Sequence, residues 1–160
     1  MARYEKFRLA LRGGRTPSFK GLKPASETSS RAKKVNRSAD TGHESLLRSL
    51  LWSRGLRFRK NVKALPGKPD IVFSRERVVV FCDGDFWYGR NWRKLSRKLR
   101  VGANSTYWLQ KISTNMRRDR RNSKVLEREN WHVIRMWEMD IHADPERAAQ
   151  RVEKIVRARQ

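Results

Sequence analysis

The sequence predicts a mixed three-layer α/β domain with a small central sheet, on three observations. Leucines recur at helical spacing soon after residue 41. Val78-Val79-Val80-Phe81 is a β-branched run apolar enough to be a central strand buried on both faces. Helical spacing then returns from Ser105 to Arg128, ahead of one more strand. The predicted order is α-β-β-β-α-β-α, without an internal repeat.

Residues 1–40 carry eleven Lys and Arg against Glu5, Glu27 and Asp40, with a Gly-Gly pair, two prolines and several serines. With almost no periodic apolar pattern, this segment reads as a flexible basic arm that orders on a polyanion, with one short helix around Tyr4 to Leu11. The ordered domain is expected to span residues 41–160. It opens at Thr41-Gly42-His43-Glu44, where a threonine followed three residues later by glutamate has the form of a capping box. Leu46, Leu47, Leu50 and Leu51 then line one helix face, and Gly55 ends the helix. A short strand is expected near Leu56 to Arg59, then a loop through Leu65-Pro66-Gly67-Lys68-Pro69. Two strands follow, Asp70 to Phe73 and Arg77 to Cys82, separated by a turn at Ser74 to Glu76. The polar, basic stretch from Gly89 to Asn104 reads as a surface loop or short helix. Trp131 to Trp137 is expected as a strand. Pro145 opens a terminal helix that turns Ala148, Val152, Ile155 and Val156 inward.

Composition narrows the function classes. The chain has 160 residues, room for one ordinary domain with a tail but not for two catalytic domains. Lys and Arg number 39 against 16 Asp and Glu, a formal net charge of +23 that calls for a polyanionic partner. Hydrophobic residues at 38%, with six Trp and six Phe, supply a modest core and argue against wholesale disorder. The single Cys82 closes no internal disulfide and builds no multi-cysteine zinc cage. No stretch approaches the roughly 18 apolar residues of a membrane span, and the start lacks the apolar core of a signal peptide. A soluble, cytoplasmic protein with no membrane partner is expected.

The chemistry is expected where Pro69-Asp70 opens one strand beside the end of the central one. There a carboxylate lies next to exposed backbone carbonyls, the hard oxygen donors that a divalent cation such as Mg²⁺ prefers. Glu44, at the start of the preceding helix, can add a second carboxylate through water. After the central strand, Asp83-Gly84-Asp85-Phe86-Trp87 leaves through a glycine turn. Phe86 and Trp87 therefore either join the core or emerge where they can wedge between base pairs. On the long helix, Trp108, Lys111, Asn115 and Asp119 are spaced by 3, 4 and 4 residues. One face then offers a stacking ring, a phosphate-binding ammonium, an amide able to read base edges and a carboxylate near the metal. Ile112, Met116 and Val125 suggest that the apolar face of this helix lies elsewhere. Arg117, Arg118, Arg120 and Arg121 are expected to serve phosphates or solvent without reading bases.

Read together, Gly-Leu-Arg-Phe-Arg (55–59), Leu-Pro-Gly-Lys-Pro-Asp-Ile-Val-Phe (65–73), Asp-Gly-Asp-Phe-Trp (83–87), Tyr-Trp-Leu-Gln-Lys-Ile (107–112), Asn115, Arg118-Asp119 and Trp131 to Trp137-Glu138 resemble the very short patch repair (Vsr) endonuclease family. Its relatives among phage homing endonucleases share that pattern, and the resemblance covers roughly residues 28–140 in order. It implies a restriction-endonuclease-like fold and hydrolysis of a phosphodiester in double-stranded DNA with Mg²⁺, or alternatively Mn²⁺. Asp70 and the main-chain carbonyl of Cys82 would hold the metal. Glu44 and Asp119 would fall on the family's other acidic positions, and Phe86, Trp87 and Trp108 would intercalate. A monomer is expected.

The departures from the family pattern are as informative. Asp83 and Tyr88 stand where the repair enzymes carry histidines, and a phenol with a pKa of about 10 is a poor general base at neutral pH. The family's structural zinc is held by cysteines and a histidine, whereas the corresponding positions here include Asp85, Arg90 and Met139. No structural zinc is expected, and the three histidines read as scattered. His43 can be recruited as a base but reads more readily as a surface residue at a helix start. The competing expectation is a non-cleaving DNA- or RNA-binding protein that keeps the fold and has lost the base.

Overall fold

The computed structural model describes residues 17–22, 40–85 and 91–160. Its elements are α1 (Gly42–Ser53), β1 (Arg59–Lys60), β2 (Ile71–Phe73), β3 (Val78–Asp83), α2 (Trp92–Arg100), α3 (Ser105–Arg128), β4 (His132–Trp137), α4 (Glu138–Ala143) and α5 (Pro145–Arg157). The strands form one sheet in the order β1-β2-β3-β4. The first two pairings are antiparallel and β3-β4 is parallel, with Val78 opposite His132 and Asp83 opposite Trp137. The long return through α2 and α3 is what allows β4 to run parallel to β3.

Alternation along β3 divides the core into two layers. Val78, Val80 and Cys82 face Leu47 and Leu51 of α1, Ile141 of α4, and Ala148, Ala149, Val152 and Val156 of α5. Val79 and Phe81 face the other way, onto Leu126 of α3 with Leu65, Val72 and Trp131. All six residues of β3 are buried, so the domain is helix, sheet, helix in three layers around that strand.

Several expectations are adjusted. The first strand is only Arg59–Lys60, and the turn between β2 and β3 extends through Arg77, whose φ of 54° is left-handed. In the basic stretch before residue 104, expected as a loop or a short helix, it is the helix that forms, α2, capped by the Asn91 side chain, which accepts from the Lys94 amide at 3.4 Å. The chain after β4 makes two helices rather than one. With six residues, α4 is too short to show a helical period in the sequence, and it buries only Ile141. Pro145 opens α5 as expected, and Asp144 caps it by accepting from the Arg147 amide at 2.9 Å. Phe19, inside the segment expected to be an arm, meets the rings of Tyr107 at 5.1 Å and Trp108 at 6.1 Å.

The opening of α1 also differs from a capping box. The Thr41 hydroxyl donates to Glu44 Oε1 at 2.8 Å, and the Asp40 amide donates to Glu44 Oε2 at 2.8 Å. Glu44 thus reaches back one residue beyond the cap, and its carboxylate is fixed on both oxygens.

Candidate functional site

The loop before β2 brings Asp70 to the sheet. Gly67, at φ 78°, lies so close to Phe81 and Asn122 that a Cβ there would stand 3.0 Å from the Phe81 ring and 3.1 Å from the Asn122 amide. Only glycine lets this turn sit down on the sheet. Asp70 then enters the ladder, its amide donating to the Val80 carbonyl at 3.0 Å, and its Oδ2 accepts from the Cys82 amide at 2.7 Å. In an extended strand the N–H and C=O of one residue lie on the same edge. The Cys82 carbonyl is therefore presented on the edge where the Asp70 carboxylate sits.

Burial pushes the Asp70 carboxyl up to about 7, and the charges of Glu44 and Asp83 add to the rise. The Cys82 amide and Arg48 act against it. Burial is the larger cause, and Glu44 of α1 and Asp83 of β3 are near enough for their charges to add to it. The Cys82 thiol is pushed well above its ordinary range by burial and by the same carboxylates, so it offers its backbone rather than a thiolate. The oxygens of Asp70, of the Cys82 carbonyl and, through water, of Glu44 are hard donors that could hold an ion such as Mg²⁺.

Arg48 and Arg135 are the residues that the sequence did not single out. Arg48 sits one turn after Glu44, 3.5 Å from its Oε2, and donates to Asp40 at 2.7 Å. Its i,i+4 spacing from Glu44 was the available signal. Arg135 interrupts the apolar β4 and grips Asp83 with both arms of its guanidinium, Nε to Oδ2 and Nη2 to Oδ1, each at 2.6 Å. That partnership depends on the β3-β4 register and has no local signature. Asp83 is only 1% exposed, and burial raises its carboxyl while Arg135 lowers it.

Asp119, on α3, faces the same region. Its Oδ1 accepts from Arg118 Nε at 3.2 Å, while Oδ2 is buried with no hydrogen-bond partner among the described residues and lies 4.0 Å from Arg135 Nη2. Burial raises the Asp119 carboxyl, with Arg118 and Arg135 opposing. Asp83, Asp119, Arg120, Lys124, Arg135 and Arg151 are among the residues lining a cleft of about 650 Å³. With Glu127, three carboxylates and four cations share this groove.

The stripe on α3 is partly revised. Asn115 and Asp119 lie on the buried side together with Tyr107, Ile112, Asn122 and Leu126, so that side is mixed, and Met116 and Val125 are only half-buried. Trp108 and Lys111 are half-buried; the Lys111 ammonium donates to the Tyr107 hydroxyl at 2.7 Å and lies 5.8 Å from the Trp108 ring centre. Arg117, Arg118, Arg120 and Arg121 are exposed. Phe86, Trp87, Tyr88 and Arg90 lie outside the described residues. Asp85 accepts from the Met139 amide at 3.0 Å, and Met139 is 63% exposed.

The histidines are not all scattered or superficial. His43 is 5% exposed, its ring 6.0 Å from that of His142, and its Nδ1 is 3.5 Å from Glu138 Oε1. The helix periodicity of α1 hid this, because the residues that bury His43 come from α4, nearly a hundred positions away.

No helix among the described residues is long and apolar enough to cross a membrane.

Residues 24–94 match the family described as DNA mismatch endonuclease Vsr. A Type II nicking enzyme of Neisseria meningitidis serogroup C is 38% identical over 125 residues, covering 78% of this chain and 83% of that one. A Type II nicking enzyme of Haemophilus parainfluenzae is 35% identical over 124 residues, 78% of this chain and 86% of its own. The DNA mismatch endonuclease Vsr of Escherichia coli K12 is 40% identical over 100 residues, 62% of each chain. With an acidic sheet end at Asp70 and similarity running along most of both partners, this chain belongs to the Vsr endonuclease family.

Proposed function

We propose that the chain is a Mg²⁺-dependent DNA endonuclease that nicks a duplex at the Asp70 end of the sheet. The observation that carries this reading is the Asp70 carboxylate seated against the Cys82 backbone, held at about 7 by burial first and then by the charges of Glu44 and Asp83. Asp70 and the Cys82 carbonyl would hold the ion, with Glu44 contributing through water. Mg²⁺ there would supply charge stabilisation at the scissile phosphate and a water of lowered pKa.

The chain's own residues supply the remainder. The net charge of +23 attracts the duplex, and the exposed arginines of α3 take phosphates without reading bases. Lys111 binds the backbone, and Phe86, Trp87 and Trp108 are the aromatics that intercalate at the unstacked base step. Asn115, on the buried side of the helix, supplies the amide that reads a base edge. Asp119 supports the attacking water through its second oxygen. Residues 1–40 act as the basic arm of a domain spanning 41–160, and the chain works as a cytoplasmic monomer on double-stranded DNA.

A second reading has its own support. Asp83 is held by two short bonds to Arg135, and Tyr88 offers a phenol in place of an imidazole. A protein with no base at either position would bind DNA and leave it intact. Supercoiled plasmid incubated with Mg²⁺ or Mn²⁺ separates the two. Metal-dependent conversion to open circles, stopped by chelator, supports the nuclease; retarded but uncut plasmid supports the binder.

A further inference from the structure

We infer that His43, Glu138 and His142 form a second metal site, distinct in donor chemistry from the Asp70 centre and suited to Zn²⁺ or a similar borderline ion. One ligand atom from each lies within 4.8 Å of the other two. Two imidazoles and one carboxylate favour Zn²⁺, Co²⁺ or Ni²⁺, whereas the all-oxygen donors at Asp70 favour Mg²⁺. The separation between His43 Nδ1 and Glu138 Oε1 is 3.5 Å. Tetrahedral ligands on bonds of about 2.0–2.1 Å stand roughly 3.3–3.4 Å apart, so this edge is already close to the required length. His142 is exposed and Glu138 half-buried, so rotation of these two side chains closes the remaining edges.

The hydrogen bonds around His43 point the same way. Thr41 has one hydroxyl hydrogen, and that hydrogen goes to Glu44 Oε1 at 2.8 Å. Toward His43 Nε2, at 3.2 Å, the same oxygen can only accept. The chain of bonds therefore assigns the proton of a neutral His43 to Nε2 and leaves the Nδ1 lone pair facing the Glu138 carboxylate. Two acceptors 3.5 Å apart, one of them on a buried imidazole, are a pair that a metal cation can bridge. A ligating histidine held through its other nitrogen by a hydroxyl is the arrangement that orients such ligands. The ion would tie α4 to the first turn of α1, the turn that also carries Glu44. It would leave a fourth position to water, since the three ligands come from one buried and two more open side chains.

The test uses the untagged full chain, stripped of metal and dialysed against Zn²⁺ with Mg²⁺ in large excess, followed by elemental analysis. One zinc per chain is expected, in the native protein and in Asp70→Asn alike. Co²⁺ in its place should give the visible absorption bands of a four-coordinate site. His142→Ala and Glu138→Gln remove partly or fully exposed side chains and should leave the circular dichroism unchanged. Each should weaken zinc binding by at least the roughly 10–100-fold that loss of even an outer partner costs. Absence of stoichiometric zinc would overturn the proposal and leave the cluster a His43–Glu138 ion pair. So would zinc that survives His142→Ala, or zinc lost in Asp70→Asn, which would assign the ion to the Asp70 centre. Because binding is read without cleavage, a failed nuclease assay and a failed zinc site are separate results.

Discussion

Asp83 and Arg135 are joined across the parallel β3-β4 pair by two hydrogen bonds of 2.6 Å, with Asp83 almost wholly buried and the arginine opening on the cleft beside Asp119. Breaking a buried pair from one side strands the other charge, at a cost of about 3–5 kcal/mol. Arg135→Ala should therefore destabilise the fold by about that amount, measured by urea unfolding. Adding Asp83→Asn to Arg135→Ala should recover part of the loss, because the stranded carboxylate is gone. Additive effects of the two substitutions would show that the pair carries no coupling energy.

The pair also shows what was legible in the sequence. Local patterns identified α1, the central strand, α3 and α5, because each repeats an apolar residue at the period of its own geometry. The Pro-Asp strand entry and the family pattern pointed to Asp70 and Glu44. What escaped depended on register or distant packing. Arg135 finds Asp83 only once β4 is laid beside β3, and His43 is buried only once α4 folds over α1. The mixed buried side of α3 is of the same kind: Asp119 faces Arg135 of β4 and Asn122 lies against the Gly67 turn, neighbours that only the tertiary fold supplies.

Asp70 gives a dependence of stability on pH with a defined sign. Its carboxyl stands at about 7 when folded against an ordinary value of 3.8, so between about pH 4 and 7 the metal-free folded chain holds a proton that the unfolded chain has released. The metal-free protein should lose stability as pH rises through that window. Mg²⁺ needs the ionised carboxylate, and should raise the melting temperature clearly at pH 8 and little at pH 5. Asp70→Asn should flatten both trends. An equal Mg²⁺ effect at the two pH values would mean that the ion binds elsewhere.

Restoring histidine at position 88 addresses the base. A positioned general base contributes about 10²–10⁴-fold, and an imidazole with pKa near 6.5 is available at pH 7 where a phenol is protonated. Tyr88→His should raise metal-dependent cleavage at least several-fold, with activity climbing between about pH 6 and 7.5 and DNA affinity unchanged. A neutral or slower variant, in a protein that already cuts well, would assign water activation to Glu44 or Asp119.

The basic arm should act through phosphates. Deleting residues 1–30 should weaken binding to DNA of any sequence and flatten its salt dependence, by about 0.9 in the slope of log K against log salt for each phosphate the arm would have neutralised. Filter binding across a salt series measures both. An unchanged slope would make those residues a passive tail.

The central claim is that the carboxylate seated against the Cys82 amide is the one that cuts DNA, and nicking by Asp70→Asn tests it most directly. With Mg²⁺ and supercoiled plasmid, the native chain should produce open circles and the variant none. The variant should bind the same DNA at least as tightly, since it loses a metal ligand and a negative charge facing phosphate. Near-native nicking by Asp70→Asn would contradict the account and remove Asp70 from the reaction.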